Sequence, residues 1–187
     1  MSYWLINIIF TLFIIYFLRV NRHGLHMFQL EHYYKDRYIN WMKQNIKTVF
    51  NLKKIVLLVI SSIVLLINKI IGAILTIITF LLLIITLPRK KEKKPFVITK
   101  RVKRQFLTYF ILMILLGIII NVFNDVYSVI LLNVISMISY LFVCIVALIN
   151  SPVEKIINNS FCRKAKKKLN SITDLKVIGI TRKFWKN

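Results

Sequence analysis

Glycine and proline are scarce, four and three in 187 residues. So few turn-formers argue against the many hairpins of an outer-membrane barrel. Acids are nearly as scarce, six against 28 lysines and arginines. Asp125, in an apolar region, has no partner carboxylate for acid–base work. There are only two cysteines, Cys144 in an apolar run and Cys162 in a basic segment. Neither has a metal-ligand neighbour, and a disulfide between them is not expected. The pattern of a cleavable signal peptide is missing: Arg19 and Arg22 follow the first apolar run instead of preceding it. No repeat of solenoid type is visible.

What is abundant is apolar surface and positive charge. The chain is 58% hydrophobic, with a mean hydropathy of +0.70 and a formal net charge of +22. A soluble nucleic-acid binder of that charge would be polar. The combination fits an all-α polytopic membrane protein with basic loops.

Residues 55–87 hold a single charge, Lys69. As one helix this run would be about 50 Å long, against a hydrocarbon core of about 30 Å. Residues 2–18 form an earlier apolar run, and residues 106–150 a later one interrupted by Asn121 and by Asn124 and Asp125. The basic residues decide the topology. Eight lie in 19–54, nine in 89–104 and ten in 155–186. The positive-inside rule puts all three groups in the cytoplasm. The expectation is therefore about five membrane helices: 2–18 with the N-terminus outside, a hairpin over 55–87 turning near Asn68, Lys69 and Gly72, and a hairpin over 106–150 turning at Asn124 and Asp125. A single tilted span over 55–87 is the alternative, and it would strand nine basic residues outside.

Between these spans, 19–54 reads as a cytoplasmic juxtamembrane segment. Tyr34, Tyr38, Trp41 and Met42 recur at helical spacing among Lys35, Arg37, Lys43 and Lys47. That suits an amphipathic helix lying on anionic lipid, or one packed on a partner domain. Residues 88–105 are a basic loop with two prolines. Residues 151–187 begin with a helix that Ser151 would cap, with Glu154 completing a capping box. They continue into a short β-branched run, 175–181, of buried-strand type.

No catalytic, cofactor-binding or metal-ligating residue is expected. Asn133, Ser136, Ser139 and Tyr140 share one helix face, suited to interhelical hydrogen bonds or to a polar transport path. His23, His26, Glu31 and His32 resemble a ligand cluster but lack an HExxH pattern or a nearby cysteine, so interfacial polar residues are the default. Cys162 lies beside Arg163, where positive charge would lower its pKa, but no catalytic His partner is evident. The basic segments suit lipid head groups, with no nucleic acid expected as a partner.

The run Leu175, Lys176, Val177, Ile178, Gly179, Ile180, Thr181 resembles the strand that enters the phosphate-binding loop of Mur ligases. There it continues Thr-Gly-Ser-(Tyr/Phe)-Gly-Lys-Thr, whose amides and Lys cradle ATP phosphates and whose last Thr reaches Mg²⁺. Residues 29–41, from Gln29 to Trp41, resemble the juxtamembrane segment of membrane-anchored Mur-ligase-like proteins of Firmicutes, relatives of the UDP-N-acetylmuramoyl-tripeptide–D-alanyl-D-alanine ligases. Residues 93–104 resemble their second basic loop, and 152–169 the lead-in to their ATP domain. The resemblance implies an anchor in the bacterial plasma membrane, cell-wall synthesis proteins as partners, and ATP and magnesium as cofactors of an intact relative. After Thr181 the chain departs to Arg182, Lys183, Phe184, Trp185, Lys186 and Asn187. A one-base shift within codons for the Mur-ligase loop yields those six residues. The expectation is a truncated, frameshifted fragment that is inactive by itself. The alternative is a stand-alone multi-pass scaffold or subunit without enzyme activity.

Overall fold

The computed structural model describes residues 3–87, 95–123 and 126–171. These form eight helices and no strand. The 175–181 run, the residues Asn124 and Asp125, and positions 88–94 of the basic loop lie outside the described residues.

Helix α1 (Tyr3–Leu30) has 28 residues, about 42 Å at 1.5 Å per residue. The expected end near Leu18 is not where it stops. The helix continues past Arg19, whose guanidinium donates to the Ile84 carbonyl at 3.2 Å, and Asn21 bonds back to the Phe17 carbonyl. The helix ends without a glycine. His32 and Tyr33 both take the left-handed region, at φ 53° and 61°. The Tyr33 amide closes on the Phe28 carbonyl at 2.9 Å. Each such conformation costs about 1 kcal/mol or more in a non-glycine residue. Tyr33 is held by the Arg101 guanidinium, 4.3 Å from its ring, and by Thr99, 3.2 Å from its hydroxyl.

Two short helices follow, α2 (Lys35–Gln44) and α3 (Ile46–Val49). Tyr38 and Met42 of α2 are buried, Trp41 is half-buried and Tyr34 is exposed. Most of the aromatic face that could have lain on lipid is turned into the protein's own core.

α4 (Leu52–Ile67) and α5 (Lys69–Thr86) are separated by one residue, Asn68. Its extended backbone stops α4, and its side chain accepts from the amides of Ile70 and Ile71 to start α5. The two helices then pack on each other at backbone contact. A Cβ at Gly72 would lie 2.4 Å from Leu65 Cα. Lys69 is exposed beside this break.

α6 (Lys100–Phe123) starts at Thr99, whose hydroxyl accepts from the Val102 amide. α7 (Val126–Met137) and α8 (Phe142–Asn170) meet at an 85° bend across residues 138–141. The sequence placed no break there. Nor does Ser151 start a new helix: α8 runs through Ser151 and Pro152 to Asn170. Proline removes one helical bond and crowds the preceding turn, yet here the helix continues through it.

The chain divides into two units, Met1–Asn150 and Ser151–Asn187. The first contains the core, centred on Phe13, Phe17, Phe80, Tyr109 and Phe142 with ring centroids 5.1–6.2 Å apart. In the second, the described part is the end of α8, where no side chain is buried. Four segments are long and apolar enough to cross a membrane: Tyr3–Leu30, Ile46–Ile67, Lys69–Thr86 and Lys100–Phe123. The bent α7–α8 pair makes up to five. Their outward faces carry Ile63, Leu66, Ile70, Ile85, Ile118 and many like them, fully or half exposed. Such a surface belongs in lipid, where closed helices satisfy every backbone bond internally. Four to five such helices are compatible with a multi-pass membrane protein.

Candidate functional site: a polar seam between α4 and α7

α4 is apolar on most sides, but one face reads Lys54, Leu58, Ser61 and Leu65, all buried. This i, i+4, i+7, i+11 spacing sets Lys54 and Ser61 on one stripe. Across from it, α7 and the following turn present Asn133, Ser136 and Ser139, each fully buried. The two stripes run antiparallel and hydrogen-bond. Asn133 Nδ2 donates to Ser62 Oγ at 2.9 Å and to Ser61 Oγ at 3.2 Å. Both serines in turn donate to the Leu58 carbonyl. Two α4 turns away, Lys54 Nζ donates to Ser139 Oγ at 3.3 Å and lies 5.3 Å from the Tyr16 ring centroid. Asn133 Oδ1 and Ser136 Oγ are buried with no partner among the described residues.

The bend beside Ser139 carries a second cluster. Tyr38 donates its hydroxyl to the Tyr140 carbonyl at 3.1 Å. Burial, aided by nearby Tyr109, Cys144 and Tyr140, pushes the Tyr38 phenol well above its ordinary value, so it stays a donor. Trp41 stacks on Tyr38 at 5.5 Å, and His23 shares a 3.1 Å hydrogen bond with the Tyr140 hydroxyl. Gly24 makes room for this: a Cβ there would lie 2.8 Å from Val143 and 3.1 Å from the Tyr38 hydroxyl.

No known family model matches this chain. No curated protein and no solved structure matches it either.

The sequence-predicted residues thus part company. Asn133, Ser139 and Tyr140 do engage other helices, through Ser61 and Ser62, Lys54, and His23 and Tyr38. Such bonds average about 0.6 kcal/mol each in a membrane. His23 joins Tyr140, whereas His26 packs edge-on against Phe96 at 5.6 Å. Among the described residues no group of three or more His, Cys, Asp or Glu could hold a metal. Cys144 is half-buried, Cys162 is exposed, and both are free thiols.

Lys54 is the residue the sequence alone does not single out. It belongs to the group of eight basic residues in 19–54 expected in the cytoplasm. The usable signal was its register: Lys54 shares the stripe of Leu58, Ser61 and Leu65, and Lys53 does not.

Proposed function

We propose that this chain is a membrane anchor in the bacterial plasma membrane, resembling the anchor region of Mur-ligase-like proteins. The observation that carries the reading is the split character of α8. Its first turns bury Val143, Val146, Ala147 and Asn150, and nothing after Asn150 is buried. That second part bears Lys155, Arg163, Lys164, Lys166, Lys167 and Lys168 against a single acid, Glu154. A helix apolar at one end and exposed and basic at the other suits a junction between a membrane module and a cytoplasmic one, with its cations at anionic head groups. The Mur-like run Leu175 to Thr181 follows directly.

In this reading the N-terminus is outside and the three basic groups are inside. An intact relative would use ATP and magnesium to form an amide bond on a cell-wall precursor. The residues after Thr181 do not fit that cofactor, because they lack the glycines and the closing Lys-Thr of a phosphate loop. No ATP step is therefore assigned to this chain, and the purified protein is expected to hydrolyse none. The nucleotide sequence past Asn187 tests the reading. A neighbouring frame that continues as a Mur ligase supports it, and its absence overturns it.

One observation favours a stand-alone scaffold or subunit instead. Five residues of the seam, Lys54, Ser61, Ser62, Asn133 and Ser139, hydrogen-bond with one another inside Met1–Asn150, as in a self-contained helical module. A partner that co-purifies stoichiometrically, without a downstream ligase frame, would establish that reading.

A further inference from the structure

We infer that the apolar belt of this protein fits a thin hydrocarbon layer, so that it gathers phospholipids with short acyl chains around itself. The inference rests on the reading that the helices cross a bilayer. It needs neither the ligase resemblance nor the orientation.

One edge of the belt is set by two sideways ties. Arg19 of α1 is exposed and gives its guanidinium to the Ile84 carbonyl of α5 at 3.2 Å. Lys54 of α4 gives its ammonium to Ser139, in the bend after α7, at 3.3 Å. The two ties lie within about a turn of each other. Lys54 Nζ is 5.3 Å from the ring centroid of Tyr16, one turn before Arg19. That ring meets Phe80, one turn before Ile84, at 6.0 Å. Long basic side chains ordinarily lengthen a span by reaching outward to the head groups. These two are spent on neighbouring segments at their own level.

The other edge carries aromatic rings. Phe10 packs against Gly117, where a Cβ would lie 3.3 Å from its ring. Phe17 meets Tyr109 at 6.1 Å, so α1 and α6 run antiparallel. In that register Trp4 is level with Phe123, and both are exposed, as is Tyr127. Aromatic side chains, tryptophan and tyrosine above all, settle at membrane–water interfaces. α5 runs parallel to α1, with Phe80 against Phe13 and Tyr16. Counted back from Phe80, exposed Lys69 falls within a turn of Trp4.

Between these edges the spans are short. Trp4 to Arg19 rises about 22 Å, as does Lys53 to Asn68. α5 in full, at 18 residues, reaches about 27 Å, and Arg104 to Asn121 about 26 Å. An ordinary hydrocarbon core is about 30 Å thick, and tilting only lowers the height that a helix covers. The α4–α5 hairpin cannot slide to gain height, because Asn68 joins the helices directly and Gly72 sits on the Leu65 backbone. In a bilayer of ordinary thickness Arg19, Lys53 and Lys69 would be drawn towards hydrocarbon. Charges at depth are costly, whereas lipid thins at a modest cost per ångström. The exposed side chains between the edges, among them Ile8, Ile15, Ile63, Ile78 and Ile114, are aliphatic and suit acyl chains.

The test reconstitutes the whole chain in vesicles of phosphatidylcholine whose two monounsaturated chains lengthen stepwise from about 14 to about 22 carbons. The unfolding midpoint is expected to be highest at the short end and to fall by several degrees towards the long end. Mixed vesicles of the shortest and longest lipid give a second readout. Discs excised around the protein with an amphipathic polymer should hold several-fold more short-chain lipid than discs cut from protein-free vesicles, by mass spectrometry. A midpoint that is flat or rises with chain length would overturn the inference, as would discs of unchanged composition. Flotation separates this failure from a deeper one. A chain that floats with every vesicle yet prefers long lipid overturns the thin belt alone. A chain that floats with none overturns the membrane crossing itself.

Discussion

Gly72 is the residue at which one added methyl group should do most damage. Its virtual Cβ meets the Leu65 Cα and amide nitrogen at 2.4 and 2.5 Å. Backbone atoms cannot rotate aside, so α4 and α5 would have to part. Gly72→Ala is expected to lower stability by about 3 kcal/mol, the upper end for overpacking, measured by denaturant or thermal unfolding in micelles. Gly117 is the control. Its Cβ would approach only the Phe10 ring, at 3.3 Å, and Gly117→Ala should cost below about 1 kcal/mol. Equal effects at the two sites would refute the backbone contact.

Tyr38 allows a pH argument at the same scale. Its phenol is held protonated in the folded protein by burial, while the unfolded phenol ionises near pH 10. A group whose folded value is raised contributes fully below the unfolded value and loses that contribution as pH rises above it. Stability should therefore fall above about pH 10, with Tyr38 adding about 1.4 kcal/mol per pH unit to the slope. Tyr38→Phe should flatten the slope by that amount. At neutral pH it should cost about 1 kcal/mol for the lost bond to Tyr140. An unchanged alkaline slope in the variant would contradict the burial.

Among the elements, the α4–α5 pair depends on Asn68. The residue ends one helix with its backbone and opens the next with its side chain, which accepts two amides. Asn68→Ala should cost about 1 kcal/mol, and Asn68→Asp, which keeps the accepting oxygen, should restore most of it. Thermal unfolding of the three proteins checks this. The helical character of the chain and four to five membrane-length helices were readable in advance, because apolar runs of that length have few other uses. Three other features were not. α1 continues past Arg19, whose guanidinium meets a carbonyl 65 residues away. The bend at 138–141 forms where Lys54 and Tyr38 claim Ser139 and the Tyr140 carbonyl. The uninterrupted passage of α8 through Pro152 contradicts the capping box that Ser151 and Glu154 spell, because a capping motif names a favourable start without requiring one.

At the scale of the whole molecule, the proposed orientation makes a labelling prediction. Cys162 is exposed and Cys144 half-buried. An impermeant maleimide should modify Cys162 in inverted membrane vesicles and not in intact cells, while Cys144 stays unmodified until detergent is added. Labelling of Cys162 from outside would reverse the topology and, with it, the assignment of the basic segments to anionic inner lipid.

Composition alone pointed to helices long and apolar enough to cross a membrane, and the structure has four to five of them. Helices close every backbone bond internally, which is what a lipid environment requires. Charge distribution along the chain proposed the orientation. Only the tertiary structure decided where the polar residues go. Ser61, Asn133 and Ser139 are unremarkable letters in apolar runs, and Lys54 reads as one more surface cation. Whether such groups face lipid, water or one another depends on helix rotation and register. Those are set by long-range contacts: Gly72 on Leu65, Tyr38 on Tyr140, Arg19 on Ile84. Periodicity within one helix can name a face, but it cannot say which other face will meet it.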